Sequence, residues 1–271
     1  MILEAFGYSF FQNAFFTAIL ASIVCGIIGT IIVEKRLVMM SGGIAHTSFG
    51  GIGLGYLLGF EPILGAFGFS IIAALGISYI NRKSKTNSDT LIGMFWSVGM
   101  ALGILFISLI EGYPPDMTSY LFGDILTVSD TSITLMIVSN IIVIVSIVSL
   151  FNYWKTYLFD EEFAKILGVP TLFLENFLFI MIALTIIVLL KVVGIILVIA
   201  LLTIPPAIAK LFTNDLKSMM FISMGLGIIF TVLGLFISYA FDISSGATII
   251  LLSALTYFLV ASVKKDVFKN N

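Results

Sequence analysis

Long runs of apolar residues, broken only by short charged segments, set the pattern of this chain. Nearly uncharged stretches occupy residues 5–33, 37–60, 62–81, 90–110, 131–154, 171–190, 192–209, 218–241 and 243–263. Each is close to or above the length of about 20 residues that carries a helix across a hydrocarbon core of roughly 30 Å. Backbone polar groups in lipid must be satisfied within the segment, so these runs predict helices. The expectation is an all-α, polytopic integral membrane bundle of about nine transmembrane helices, with eight as the alternative count. It forms a single transmembrane domain over residues 1–271.

The basic residues test that count, because lysine and arginine concentrate in loops on the cytoplasmic side. Lys35 and Arg36; Arg82, Lys83 and Lys85; Lys155 and Lys165; Lys210 and Lys217; and Lys264, Lys265 and Lys269 all fall in alternate connections. Lys191 alone falls in the opposite set, where it is expected to snorkel to the interface. That opposite set collects Glu4, Glu61, Glu111, Asp116, Asp124, Asp130 and Asp242. Nine spans, with the N-terminus outside and the C-terminus cytoplasmic, satisfy this map. The first segment lacks a basic leader region and is longer than a signal-peptide core, so it is read as a span.

Composition narrows the class further. Hydrophobic residues make up 60% of the 271 and charged residues only 10%, with a mean hydropathy of +1.19. A water-soluble globule is excluded, because too little polar surface exists to cover its core. Cys25 is the one cysteine, which excludes a disulfide framework and reads as a small core residue. The net charge of −2 gives no footing for nucleic acid. With one histidine and neither a phosphate-binding glycine loop nor a zinc-hydrolase motif, the chain is not expected to be an enzyme.

Four features stand out from the lipid-facing background. The first is Ser41–Gly55 at the start of the second span, where Gly42, His46 and Gly50 recur every four residues, as do Gly51 and Gly55. Such strips let helix backbones approach closely in lipid. His46 lies about 14 Å of helix rise beyond Leu37, near mid-depth. A titratable group there is a functional-site hypothesis, and imidazole is a good ligand for first-row metals. The alternative is a hydrogen-bonded packing histidine. Met39 and Met40 are nearby thioethers that also suit gap-filling.

The second is Asp160-Glu161-Glu162-Phe163-Ala164-Lys165-Ile166-Leu167-Gly168, followed by Pro170. Asp160 is an N-cap candidate with acidic residues in the first turn, Phe163, Ile166 and Leu167 share a face, and Gly168 suits a left-handed end. This predicts a short amphipathic helix at about 160–168, either lying on headgroups or docking a partner. The third is Pro205-Pro206 inside the seventh span, which predicts a kink or hinge. The fourth is the loop between spans four and five, with Asp116 and Asp124 as outer-face acids able to attract cations.

Taken together, these features resemble the metal-ion permeases of bacterial ATP-binding-cassette importers, of the type II importer-like class. The resemblance rests on Met40-Ser41-Gly42-Gly43-Ile44-Ala45-His46, Leu121-Phe122-Gly123-Asp124-Ile125-Leu126, Asp160–Gly168, Val193-Gly194-Ile195 through Thr203-Ile204-Pro205, and Phe241-Asp242-Ile243-Ser244-Ser245-Gly246. It implies a homodimer with the path on its two-fold axis, cytoplasmic ATPase subunits docked on the 160–168 helices, and an extracellular metal-binding lipoprotein. ATP hydrolysis would lie in the ATPase subunit. The implied cargo is a divalent metal, zinc first and then manganese or iron, with no tightly bound cofactor. One departure is clear: family members often carry Asp four residues before the histidine, where this chain has Gly42. A gradient-driven secondary transporter would need intramembrane carboxylates, and only Glu175 qualifies. A non-transporting scaffold is the remaining alternative and leaves His46 without a purpose.

Overall fold

The computed structural model describes residues 7–83, 88–112, 118–123 and 125–269, and side chains are described except at 81–88, 118 and 265–269. Among these residues the chain is helical throughout. In chain order the helices are α1 (Ser9–Glu34), α2 (Val38–Leu58), α3 (Pro62–Lys83), α4 (Ser88–Ser108), α5 (Thr118–Phe122), α6 (Asp130–Ser149), α7 (Phe151–Phe159), α8 (Glu161–Ile166), α9 (Thr171–Phe212), α10 (Leu216–Phe241) and α11 (Ser245–Lys269). A single 3-10 turn, Ile125–Thr127, joins α5 to α6. Seven of the helices are long and apolar enough to cross a membrane.

The longest helix, α9, supplies two of the predicted spans. Its 42 residues would reach about 63 Å if straight, twice the hydrocarbon thickness. It is not straight. Gly194 interrupts it with φ 76° and ψ 159°, and both of its ends return to the same place. Lys210 pairs with Glu34 at 3.0 Å, while Lys35 pairs at 3.6 Å with Glu161, shortly before the helix begins. Since Glu34 and Lys35 are neighbours, the chain must cross, reverse at Gly194 and cross back. Counting α9 twice and adding α2, long enough but diluted by glycine, agrees with the nine expected spans.

The reversal lies at Gly194, ahead of Pro205 and Pro206, where the sequence predicts a kink or hinge. Both prolines are buried within helical backbone, and Gly194 is the one non-helical residue inside α9. The prolines remove two backbone donors, which leaves the carbonyls of Leu201 and Leu202 without their usual partners. A β-carbon placed on Gly29 would stand 2.5 Å from the Leu202 oxygen and 2.9 Å from the Pro206 ring. The bare backbone of α1 therefore packs closely on the altered turn. Reversal needs a positive φ, which glycine adopts at little cost and proline cannot.

α1 and α9 form the centre, with Phe11, Ile28, Ile31, Ile182, Ile186, Leu190 and Leu202 fully buried. α10 lies along α1 and is joined to it by two hydroxyl pairs, Ser22–Thr231 at 3.1 Å and Thr30–Ser223 at 3.2 Å. On the other flank α2 is held between α3 and α4 by small residues. A β-carbon on Gly51 would overlap the backbone of Gly65, and one on Gly53 would meet the Gly103 carbonyl at 2.6 Å. The outer faces of α4, α6 and α11 expose Val98, Ile141, Val148, Leu255 and Phe258, as a helix facing lipid should.

Candidate metal path and partner surface

His46 sits in the middle of α2, on the side turned toward α4. Its imidazole lies flat on the indole of Trp96, with ring centroids 4.0 Å apart and an interplanar angle of 8°. The ring is half-buried, and its Nδ1 is buried with no hydrogen-bond partner. The flat contact with Trp96 packs the ring against α4, and the hydrogen bond that the packing alternative expects at this nitrogen is absent among the described residues. A buried polar atom without a partner is costly to leave, which makes this nitrogen a candidate ligand atom.

Gly42 lies one turn before His46 and faces the same indole. A β-carbon there would stand 3.5 Å from the Trp96 ring and 3.9 Å from Ile199 Cδ1, ordinary contact distances. The carboxylate expected from the resemblance is missing although its first carbon would fit. The other glycines of the strip behave differently. Gly50 lies against Phe69 and the Gly99 carbonyl, Gly51 against Gly65, and Gly55 against Pro62, where an added β-carbon would collide. Among the described residues, no group of three or more His, Cys, Asp or Glu side chains gathers around His46 or elsewhere.

Trp96 carried no periodic or motif signal, because an indole within an apolar span reads as one more lipid-compatible residue. The Lys191–Glu61 ion pair, at 3.3 Å, is likewise a partner in place of simple snorkelling. Asp116 and Asp124 lie outside the described residues.

At the opposite end, α8 has the predicted cap: Asp160 Oδ1 accepts the backbone N–H of Phe163 at 2.9 Å. The helix is shorter than the sequence suggested, ending at Ile166, with Gly168 at φ 76° closing the turn. Glu161 bridges Lys165 at 2.9 Å and Lys35, so the capped turn is tied to the end of α1. Burial pushes the Lys35 ammonium below its ordinary pKa, and the Glu161 carboxylate partly offsets this. Lys35 also lies 3.8 Å above the Tyr157 ring. Glu162 completes the acidic first turn. Phe163, Ile166 and Leu167 are exposed, Ile166 at 82%, while Ala164 is the buried contact. An apolar face held outward on a pinned helix is suited to receive another surface.

The sequence profile of the ABC 3 transport family matches residues 7–264. An uncharacterized membrane protein of Synechocystis is 43% identical over 264 residues, covering 97% of this chain and 94% of that one. The manganese transport system membrane protein MntC of Listeria monocytogenes is 37% identical, over 93% and 90% of the two chains. The structure of PsaBC from Streptococcus pneumoniae in complex with Fab aligns with a TM-score of 0.85 at 35% identity, over 96% of this chain and 95% of that one. The chain belongs to the ABC 3 transport family. It is a multi-pass membrane permease of the ATP-binding-cassette class, as its motifs indicated. That assignment sets aside the gradient-driven and scaffold alternatives.

Proposed function

We propose that this chain is the membrane subunit of an ATP-driven importer for manganese ion and forms the path as a homodimer. Two cytoplasmic ATPase subunits dock on the exposed faces of α8, and an extracellular metal-binding lipoprotein delivers the ion. The N-terminus is outside and the C-terminus cytoplasmic, in keeping with the basic residues at the α8 end. Relatives named for manganese transport in Listeria and Streptococcus gordonii move the expected cargo from zinc to manganese.

One observation carries the path: the lone imidazole of the chain stands in mid-helix with a buried, unpartnered Nδ1. Manganese is the weakest binder among the common divalent first-row metals and favours oxygen ligands. A single nitrogen per protomer without a carboxylate gives a weak contact, with water filling the other positions. Weakness suits a path, because the ion must leave as readily as it enters. Gly50, Gly51 and Gly55 let α3 and α4 pack closely on α2, and Gly42 leaves room beside Trp96 one turn before His46. The outer acids Asp116 and Asp124 attract the arriving cation, and Pro205 and Pro206, with the Gly194 reversal before them, supply the hinge of α9.

The test is metal-resolved uptake by the assembled complex in vesicles, with manganese, zinc and iron offered in competition. ATP-dependent uptake that manganese dominates supports the reading. Uptake dominated by zinc or iron overturns the cargo, and transport without ATP overturns the class.

A further inference from the structure

An apolar groove of about 520 Å³ opens between α1, α6 and α10, on a flank that takes no part in the His46 region. Its walls include Ile23 and Ile27 from α1, Ile147 from α6, and Met220 and Met224 from α10; Lys217 stands in the same lining. Phe151 closes the end near the start of α7, and Lys155 lies one helical turn further along the same face. Both ammonium groups act electrostatically on Asp215, whose carboxylate is engaged by the backbone N–H and hydroxyl of Ser218 at 2.9 and 2.8 Å.

Two kinds of lysine stand at this end of the bundle among the described residues. Lys35, Lys165 and Lys210 each have a carboxylate partner within 4 Å. Lys155 and Lys217 are exposed and make no such pair among the described residues. Lys217 thus lines an apolar groove on the outside of the bundle, and Lys155 lies near enough to act on the same Asp215 carboxylate. Between helices at a membrane edge, that arrangement matches a lipid with a long apolar chain and a negative headgroup.

We infer that this groove seats one anionic phospholipid, with an acyl chain along Ile23, Ile27, Ile147 and Met224 and its phosphate held by Lys217 and Lys155. The lipid would fill the gap between α6 and the α1–α10 pair. A zwitterionic lipid would offer the same chain, but its positive group lowers the gain from two cations.

The experiment is native mass spectrometry of the full-length protein released from nanodiscs of equal phosphatidylglycerol and phosphatidylcholine. Wild type should retain phosphatidylglycerol preferentially, with about fivefold of the preference from each lysine, from roughly 1 kcal/mol per cation near the surface. Lys155→Gln with Lys217→Gln should bring the ratio near one, whereas Lys191→Gln at the other end should leave it unchanged. Ile147→Trp, which fills the groove, should remove the retained lipid of either type. Equal retention of the two lipids by wild type, an unchanged ratio in the double variant, or an equal loss on Lys191→Gln would each overturn the assignment.

Discussion

Gly123 and Gly194 pack backbone against backbone, each with a left-handed φ, 64° and 76°. A β-carbon on either would overlap the main chain of the other segment. The Phe122 carbonyl between them also lies 3.3 Å from where a β-carbon of Gly246 would stand. Three motifs far apart in sequence thus meet at the reversal of α9. Gly194→Ala pays twice, in backbone strain of about 1–3 kcal/mol at a φ/ψ that is essentially glycine-only and in lost close packing. The thermal midpoint in detergent should fall clearly for Gly194→Ala and for Gly123→Ala, and the double variant should fall by less than the sum. Gly225→Ala, with open space around it, should cost nothing. A tolerated Gly194→Ala would contradict the packing account.

Much of this was legible where the information is local. The apolar runs foretold the helices, and Asp160 foretold the cap of α8, because both depend on residues within a turn or two. His46 was conspicuous as the one imidazole in an apolar span. Contacts between distant segments were not legible. Gly194 looked no different from the other glycines, while the Pro205-Pro206 pair looked like the obvious break. The difference is that Gly194 is positioned by Gly123, 71 residues away, and the proline turn packs against Gly29. Trp96 became visible only when α4 was set beside α2.

Gly42 is open enough to test the missing carboxylate. Asp and His at i and i+4 share a helix face, and a β-carbon at position 42 meets its neighbours at ordinary distances. Gly42→Asp should strengthen manganese binding in equilibrium measurements, while uptake slows because the ion leaves less readily. Unchanged affinity would mean that position 42 does not face the ion.

The exposed face of α8 carries the partner prediction. Phe163→Asp and Leu167→Asp place charge on the exposed apolar face proposed to dock the ATPase, leaving the Asp160 cap and the Glu161 ion pairs in place. Co-purification of the ATPase subunit should be lost, with membrane insertion unaffected. Retained ATPase would show that α8 rests on headgroups.

Asp215 caps α10 through Ser218, and those two hydrogen bonds hold its carboxyl below the usual value near 3.8. A depressed folded-state pKa means the ionised carboxylate stabilises the fold. That stabilisation is complete above the unfolded value and is lost as pH falls through the folded one. The thermal midpoint of Asp215→Ala should therefore lie below wild type at neutral pH, and the difference should shrink below about pH 3.8. A gap that persists undiminished in acid would point to a contribution other than the charged cap.

His46 is proposed to lie on the ion's path. Radiolabelled manganese uptake into vesicles, driven by ATP and carried out with the assembled complex, measures it directly in wild type and His46→Ala. Uptake in the variant should fall near background, with unchanged membrane insertion and unchanged ATPase association. Full uptake by His46→Ala would contradict it.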